Sequence, residues 1–139
     1  MYDLDNFLYL HVSRDEDEGK ILSIMHSVNR EITYPAAALA LPDGQPVFLK
    51  AEVRDCMVQF LYLIDHSDRK EQDTLHKEER WISIGTPIPA DFLSDEACED
   101  GWFSGAMCGI CCQDLTGSGK YADFDWFTYD PVMAENEKV

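Results

Sequence analysis

The chain has 139 residues, enough for one domain with its own core, and 45% of them are hydrophobic, as in a folded globular protein. Its 27 acidic and 11 basic residues give a net charge of −16, and a surface of that sign repels phosphate groups. The composition therefore argues against nucleic acids and anionic membranes as partners, whereas neutral ligands such as sugars are unaffected.

Alternating apolar runs predict short strands along the first two thirds of the chain. The runs are 6–12, 20–27, 47–54, 56–65 and 81–85. The first two form a hairpin across an acidic turn that ends in Gly19, and the next pair is tightly joined at Asp55. Pro87 and Pro89 are expected to interrupt the chain after the fifth run, and residues 94–96 to cap a single helical turn.

Two connecting segments lack a clear strand pattern. Residues 35–41 are rich in alanine, but Pro35 and Pro42 leave too little length for a helix, so an extended or irregular passage is predicted. Residues 66–79 are dense in charge and predict a solvated loop or a frayed helical turn.

The stretch 101–129 predicts the central pair of strands. Residues 106–113 are apolar on both faces, residues 122–129 carry apolar and aromatic side chains, and a turn-rich connector at 115–120 separates them. Burial on both faces is typical of a strand inside packed sheets. The chain is therefore predicted to be all-β, a sandwich whose core is built around this pair.

The cysteines suggest a reducing compartment. Three of the five, at 108, 111 and 112, fall in one predicted strand, where residues three apart point to opposite faces. The Cys-x-x-Cys pattern is therefore interpreted as reduced, buried thiols and not as a zinc or redox site. Residues 1–5 also lack the basic and apolar parts of a secretory signal, so a cytoplasmic protein is predicted.

The remaining polar residues give no strong catalytic or metal pattern. Asp123 and Asp125 lie two apart on one strand face, so they would approach a ligand from the same side, whereas glycosidase carboxylates flank the scissile bond. Their alternatives are hydrogen bonding to the adjoining turn or a structural calcium site. His11 and His26 fall in predicted strands on half-buried faces, and the histidines form no metal-binding pair. Residues 117–120 lack the rest of a P-loop, and no cofactor is predicted.

The sequence resembles one known family. The resemblance rests on Phe103-x-Gly105-Ala106, Cys112-Gln-Asp-Leu115 and Ala122-Asp-Phe-Asp-Trp-Phe-x-Tyr129, and it extends upstream through 6–12, 47–53, 81–85 and 93–96. Together these motifs are similar to the C-terminal β-sandwich of glycoside hydrolase family 43 β-xylosidases. The resemblance implies a concanavalin A-like jelly roll over residues 1–130, followed by a polar tail at 131–139.

The resemblance also implies an accessory role in xylan degradation. In this family the catalytic carboxylates belong to a separate five-bladed β-propeller, which hydrolyses xylosidic or arabinosidic bonds, and they have no counterparts among these 139 positions. The β-sandwich packs on the propeller and closes one side of its pocket, and a loop phenylalanine faces the sugar. The Trp102-Phe103-Ser-Gly105 segment matches that loop, which makes Phe103, beside Trp102, the candidate substrate-binding residue. Its alternative is simply to begin a core strand.

Two functions and three partners follow from the resemblance. The first function is an accessory domain, inactive alone, with the propeller domain or chain as its partner. The alternative is a free-standing lectin-like module that binds xylose-type sugars through Trp102, Phe103 or Tyr121. The family's first strands precede the part that matches residues 6–12, so the β-sandwich is expected to be incomplete and to self-associate as a homo-oligomer through open edges.

Overall fold

The computed structural model describes residues 5–64, 81–94 and 107–131. These residues fall into two compact units, Met1–Met107 and Cys108–Val139. The predicted division into one domain over 1–130 and a tail at 131–139 stays a prediction. The charged insertion at 66–79 lies outside the described residues.

The first unit begins with the predicted hairpin. Strands β1 (Phe7–Asp15) and β2 (Gly19–Val28) pair antiparallel over their full length. The Asp15 carboxylate accepts hydrogen bonds from the backbone N–H groups of Asp17 and Glu18, at 2.8 and 3.0 Å. Gly19 closes the turn at φ +76°, where a side chain would be strained.

Two short strands complete the first sheet. β3 (Glu31–Thr33) and β4 (Leu39–Ala40) both pair with β2, on the side that β1 leaves free. The stretch 35–41 contains no helix: it bends at Ala36 and forms a strand only at Leu39–Ala40, as the flanking prolines predict.

A second antiparallel sheet has the strand order β5–β6–β7. Its strands are β5 (Val47–Arg54), β6 (Met57–Ile64) and β7 (Ile82–Pro89). Asp55 and Cys56, at φ +48° and +58°, form the tight connection between the first two, as predicted.

The predicted interruption at Pro87 and Pro89 is wrong, because β7 continues through both prolines to its end at Pro89. Among the described strands β7 pairs only with β6, and its register with β6 shifts between Ile84 and Ile88, so Pro87 lies outside the regular ladder. A short 3₁₀ turn, Asp91–Leu93, follows it. Of the predicted cap at 94–96, only residue 94 is described.

The core lies between the two sheets. Leu22 and Ile24 of β2 are completely buried, and they pack with apolar side chains of β6 and β7 and with Leu41. Because inward-facing residues alternate along each strand, this shared core makes the unit a two-layer β-sandwich. The all-β fold class predicted from the sequence is confirmed. The described residues include no helix long and apolar enough to cross a membrane.

The second unit corrects the prediction of a central strand pair. Residues 107–131 include bends at 115–118, as the turn-rich connector predicts, but the structure assigns no strand among them, and their large apolar side chains are exposed. Alternation determines which side chains share a face of an extended chain. It does not supply the neighbouring strand whose backbone must complete the ladder, and that depends on tertiary contacts.

Candidate functional site

A shallow cleft of about 370 Å³ opens between the segment that leads into β4 and the strand β7. It is lined by Pro35, Ala36, Ala37, Leu39, Ser83, Ile84, Gly85 and Thr86. Gly85 lies where β7 closely approaches Ala36. A Cβ atom on Gly85 would lie 3.1 Å from the Cβ of Ala36, and Gly85 has φ +64°, so only glycine fits without strain.

The lining of this cleft limits its chemistry. The hydroxyl groups of Ser83 and Thr86 are its only polar side-chain groups, and none of its eight residues carries an ionisable side chain. Such a surface can contact an apolar face of a ligand and offer hydrogen bonds. It cannot supply the acid and base pair that glycoside hydrolysis requires.

The predicted sugar-contacting residues are only partly described. Trp102 and Phe103 lie outside the described residues, so their predicted role is not tested. Tyr121, the third aromatic residue of the lectin-like alternative, is 83% exposed. An exposed aromatic ring offers the kind of surface on which a sugar can pack.

The predicted calcium residues, Asp123 and Asp125, lie on an exposed segment. Across residues 5–64, 81–94 and 107–131, no group of three or more His, Cys, Asp or Glu side chains could hold a metal ion. Two neighbouring carboxylates by themselves fall short of the six to eight oxygen ligands that calcium takes. The described residues therefore give the calcium hypothesis no support.

Asp114 organises the adjoining turn. Its Oδ1 accepts hydrogen bonds from the backbone N–H and the hydroxyl of Thr116, at 2.9 and 2.7 Å, and its Oδ2 accepts from the N–H groups of Gly119 and Lys120, at 2.7 and 3.0 Å. The hydroxyl of Thr116, followed by the N–H groups, holds the pKa of Asp114 well below its usual range. Gly117, at φ +67°, allows the chain to fold back around this carboxylate. The role of Asp114 was not predicted from the sequence, although an Asp ahead of Thr-Gly-Ser-Gly is a signal for such a turn.

The cysteine prediction needs a correction. Cys108, Cys111 and Cys112 are free thiols, but they are exposed and not buried. Their predicted burial depended on a core strand, and the structure assigns none to residues 107–131. Cys56 in the turn between β5 and β6 is also free and exposed.

His11 and His26 lie half-buried in β1 and β2, as the sequence predicts. Nδ1 of His11 and Nε2 of His26 are buried without a hydrogen-bond partner, and the His26 ring lies 4.8 Å from the ring of Phe92. Burial lowers the pKa of both histidines, because the charged imidazolium is poorly solvated there. They are structural side chains and form no site with each other.

Comparison with known proteins agrees with this architecture. A family model described as "Beta xylosidase C-terminal Concanavalin A-like domain" matches residues 1–130. A xylosidase/arabinosidase 43B of Humicola insolens is 30% identical over 141 residues, and a putative β-xylosidase of Escherichia coli K12 is 28% identical over 135. The matches cover 96% and 94% of this chain but only 24% and 23% of those proteins.

A solved structure supports the same assignment. The crystal structure of a xylan β-1,4-xylosidase from Bacillus halodurans C-125 superposes with a TM-score of 0.71 at 25% sequence identity. The match covers 86% of this chain and 21% of that one. This chain thus spans about a quarter of the length of the curated relatives it matches and belongs to the family of C-terminal concanavalin A-like domains of β-xylosidases.

Proposed function

We propose that this chain acts as a non-catalytic accessory β-sandwich that packs on a β-propeller and helps to close its sugar-binding site. The observation that carries the proposal is the match to a C-terminal domain, which leaves about three quarters of each relative outside it. The relatives' names include β-xylosidase and xylosidase/arabinosidase. We therefore infer that the completed site acts on xylosidic or arabinosidic bonds in xylan or xylo-oligosaccharides.

The cleft chemistry supports the non-catalytic part of this proposal. Its eight lining residues offer hydroxyl groups and apolar surface without a carboxylate. In this proposal the acid and base for hydrolysis belong to the partner, and this chain contributes contacts that exclude water from the sugar. Phe103, with Trp102 beside it, is the proposed contact residue. The predicted cytoplasmic location stays a prediction.

A complementation experiment tests the proposal. The Humicola insolens relative is truncated by removing the segment that matches this chain, and aryl-xyloside hydrolysis is measured with and without this chain added. We expect no hydrolysis by this chain alone, weak hydrolysis by the truncated relative, and a saturable rise on mixing. Phe103→Ala should reduce the increase in hydrolysis on mixing by at least about tenfold, since a buried aromatic contact is worth over ~1.4 kcal/mol.

Phe124→Ala is the matched control, because Phe124 is an exposed aromatic residue outside the proposed contact loop. Phe124→Ala should leave the increase in hydrolysis on mixing unchanged. Hydrolysis by this chain alone would contradict the non-catalytic assignment. Equal loss in both variants would contradict the specific role of Phe103.

A free-standing lectin-like module is the second candidate, favoured by the exposed ring of Tyr121. Titration of the folded chain with xylose and xylo-oligosaccharides, followed by tryptophan fluorescence, separates the two candidates. The accessory role predicts no saturable change without the partner. The lectin-like role predicts a saturable change that Tyr121→Ala or Phe103→Ala removes.

A further inference from the structure

The free edge of β5 has the composition of a strand that can pair with itself. Among the residues that the structure describes, β5 pairs only with β6, and no described strand lies beside its other edge. β5 also carries a distinctive charge pattern. Lys50, Glu52 and Arg54 alternate with apolar residues along it.

Apolar side chains of β5 that face the core remain exposed. Leu49 pairs with Tyr62 and Val53 with the core residue Val58, and opposite residues of an antiparallel ladder share a face of the sheet. Yet Leu49 is 40% exposed and Val53 is 58% exposed. The apolar face that the second sheet turns toward the core therefore reaches β5 without being fully covered there. A further strand beside β5 would cover Leu49 and Val53.

The charges of β5 select one way of adding a second copy. An antiparallel pair of identical strands related by a two-fold axis is centred on one residue. Centring on Ala51 places Lys50 of each copy opposite Glu52 of the other. The same register places Leu49 opposite Val53 on the core face, where both are exposed.

The neighbouring registers are less favourable. Centring on Lys50 or on Glu52 brings like charges face to face at the axis, which destabilises a ladder. Centring on Val53 pairs Glu52 with Arg54 but leaves only three residues of each strand in contact. The Ala51 register is the one that combines opposite charges with nearly the whole strand.

Local charge also favours β5 over the rest of the surface as a self-association site. The chain as a whole carries −16, so two copies repel each other across most orientations. β5 carries two basic residues and one acidic residue. Within each copy Lys50 Nζ lies 2.6 Å from Glu52 Oε1 and 5.4 Å from the centre of the Trp81 ring, so the pairing charges are already held on one face of the strand.

We propose that two copies of this chain associate through β5, antiparallel and centred on Ala51, to form a continuous six-stranded sheet in the order β7–β6–β5–β5–β6–β7. The occupant of the open edge is a second copy of this chain. This inference concerns the chain itself and does not depend on the proposed accessory function.

Sedimentation measurements over a concentration series test the register by charge reversal. Lys50→Glu and Glu52→Lys each place two like-charged pairs across the interface, so each should raise the dimer dissociation constant about tenfold or more. The double variant Lys50→Glu/Glu52→Lys restores opposite charges and should return the dissociation constant close to that of the original chain.

Two further variants separate this interface from other surfaces. Val53→Asp should weaken the dimer, and because Val53 is largely exposed the monomer should remain folded by far-UV circular dichroism. Ile32→Lys, at a residue of β3 that is 51% exposed, is the matched control and should leave the dimer unchanged. A monomeric original chain, a dimer that survives both single charge reversals, or a double variant that stays weak would each overturn the proposal.

Discussion

At the scale of single residues, Asp114 shows how one carboxylate can order a stretch without regular secondary structure. Both of its oxygens accept hydrogen bonds, from Thr116 on one side and from Gly119 and Lys120 on the other. These donors favour the charged carboxylate and keep the pKa of Asp114 low. The bends at 115–118 therefore depend on an ionised side chain.

Replacing Asp114 with Asn is expected to loosen this turn. The amide keeps one acceptor oxygen but turns the other into a donor, so two of the accepted hydrogen bonds are lost. Amide hydrogen exchange should become faster at Gly119 and Lys120. Asp123→Asn, a nearby exposed carboxyl, is the control and should leave those two amides unchanged.

The same exchange measurement has a defined pH dependence. A carboxyl group with a lowered folded-state pKa stabilises the turn fully above the unfolded value of about 3.9, and this contribution is lost as the pH falls toward the folded value. Protection at Gly119 and Lys120 should therefore be constant from neutral pH down to about 4 and decline below it. Loss of protection between pH 7 and 5 would contradict the role of Asp114.

His11 and His26 predict a different pH dependence for the first unit. Burial lowers the pKa of both, so between the folded and unfolded values the unfolded chain binds more protons. The free energy of unfolding should be highest above about pH 7 and fall as the pH drops through the unfolded value near 6.5. Urea unfolding at a series of pH values measures this decline.

The double variant His11→Phe/His26→Phe removes both groups and should flatten the decline over that range. The carboxyl groups of Asp15 and Glu52, whose pKa values are also lowered, titrate at lower pH and leave this window unaffected. An equally steep decline in the double variant would show that other groups cause it.

At the scale of elements, β2 holds the first unit together. It pairs with β1 on one side and with β3 and β4 on the other, and it contributes the two completely buried core residues Leu22 and Ile24. Its sequence alternates so that these side chains face the second sheet. The loss of packing at β2 should therefore weaken both layers.

Truncating Ile24 to alanine should lower the free energy of unfolding by about 2–5 kcal/mol, because it removes a fully buried side chain and leaves a cavity. Ile32→Ala in β3 is the matched control. Ile32 is half exposed, so its loss should cost no more than about 0.5 kcal/mol. Chemical denaturation followed by tryptophan fluorescence measures both, and equal losses would contradict the assignment of the core.

Strand boundaries illustrate a different point about elements. The tight turns at Gly19 and at Asp55 follow from local sequence, because few residues adopt positive φ and the flanking alternation is clear. The continuation of β7 through Pro87 and Pro89 does not follow from local sequence. It depends on how β7 pairs with β6, because the register shift between Ile84 and Ile88 leaves Pro87 outside the regular ladder.

At the scale of the whole molecule, the chain combines the two-sheet core of its first unit with a strongly acidic composition. Its net charge of −16 opposes non-specific association. Relatives that share this domain are about four times longer, since the matches cover 23–24% of their length. Binding of the proposed partners, a propeller and a second copy of this chain, therefore requires specific complementary surfaces and not non-specific association.

Local sequence patterns were enough to predict the fold class, the family, the opening hairpin and the hairpin of β5 and β6. These depend on alternation, turn residues and motifs, all of which are local or are read in order along the chain. It also predicted the half-buried positions of His11 and His26.

Tertiary contacts determine which of the predicted strand segments find a partner strand. Residues 106–113 are apolar on both faces, as is typical of a central strand, yet the described residues 107–131 contain no strand, and the cysteines there are exposed. The cleft beside Gly85 likewise arises from contacts between distant segments. Backbone pairing needs donors and acceptors from elsewhere in the fold, and a local pattern cannot specify where they come from.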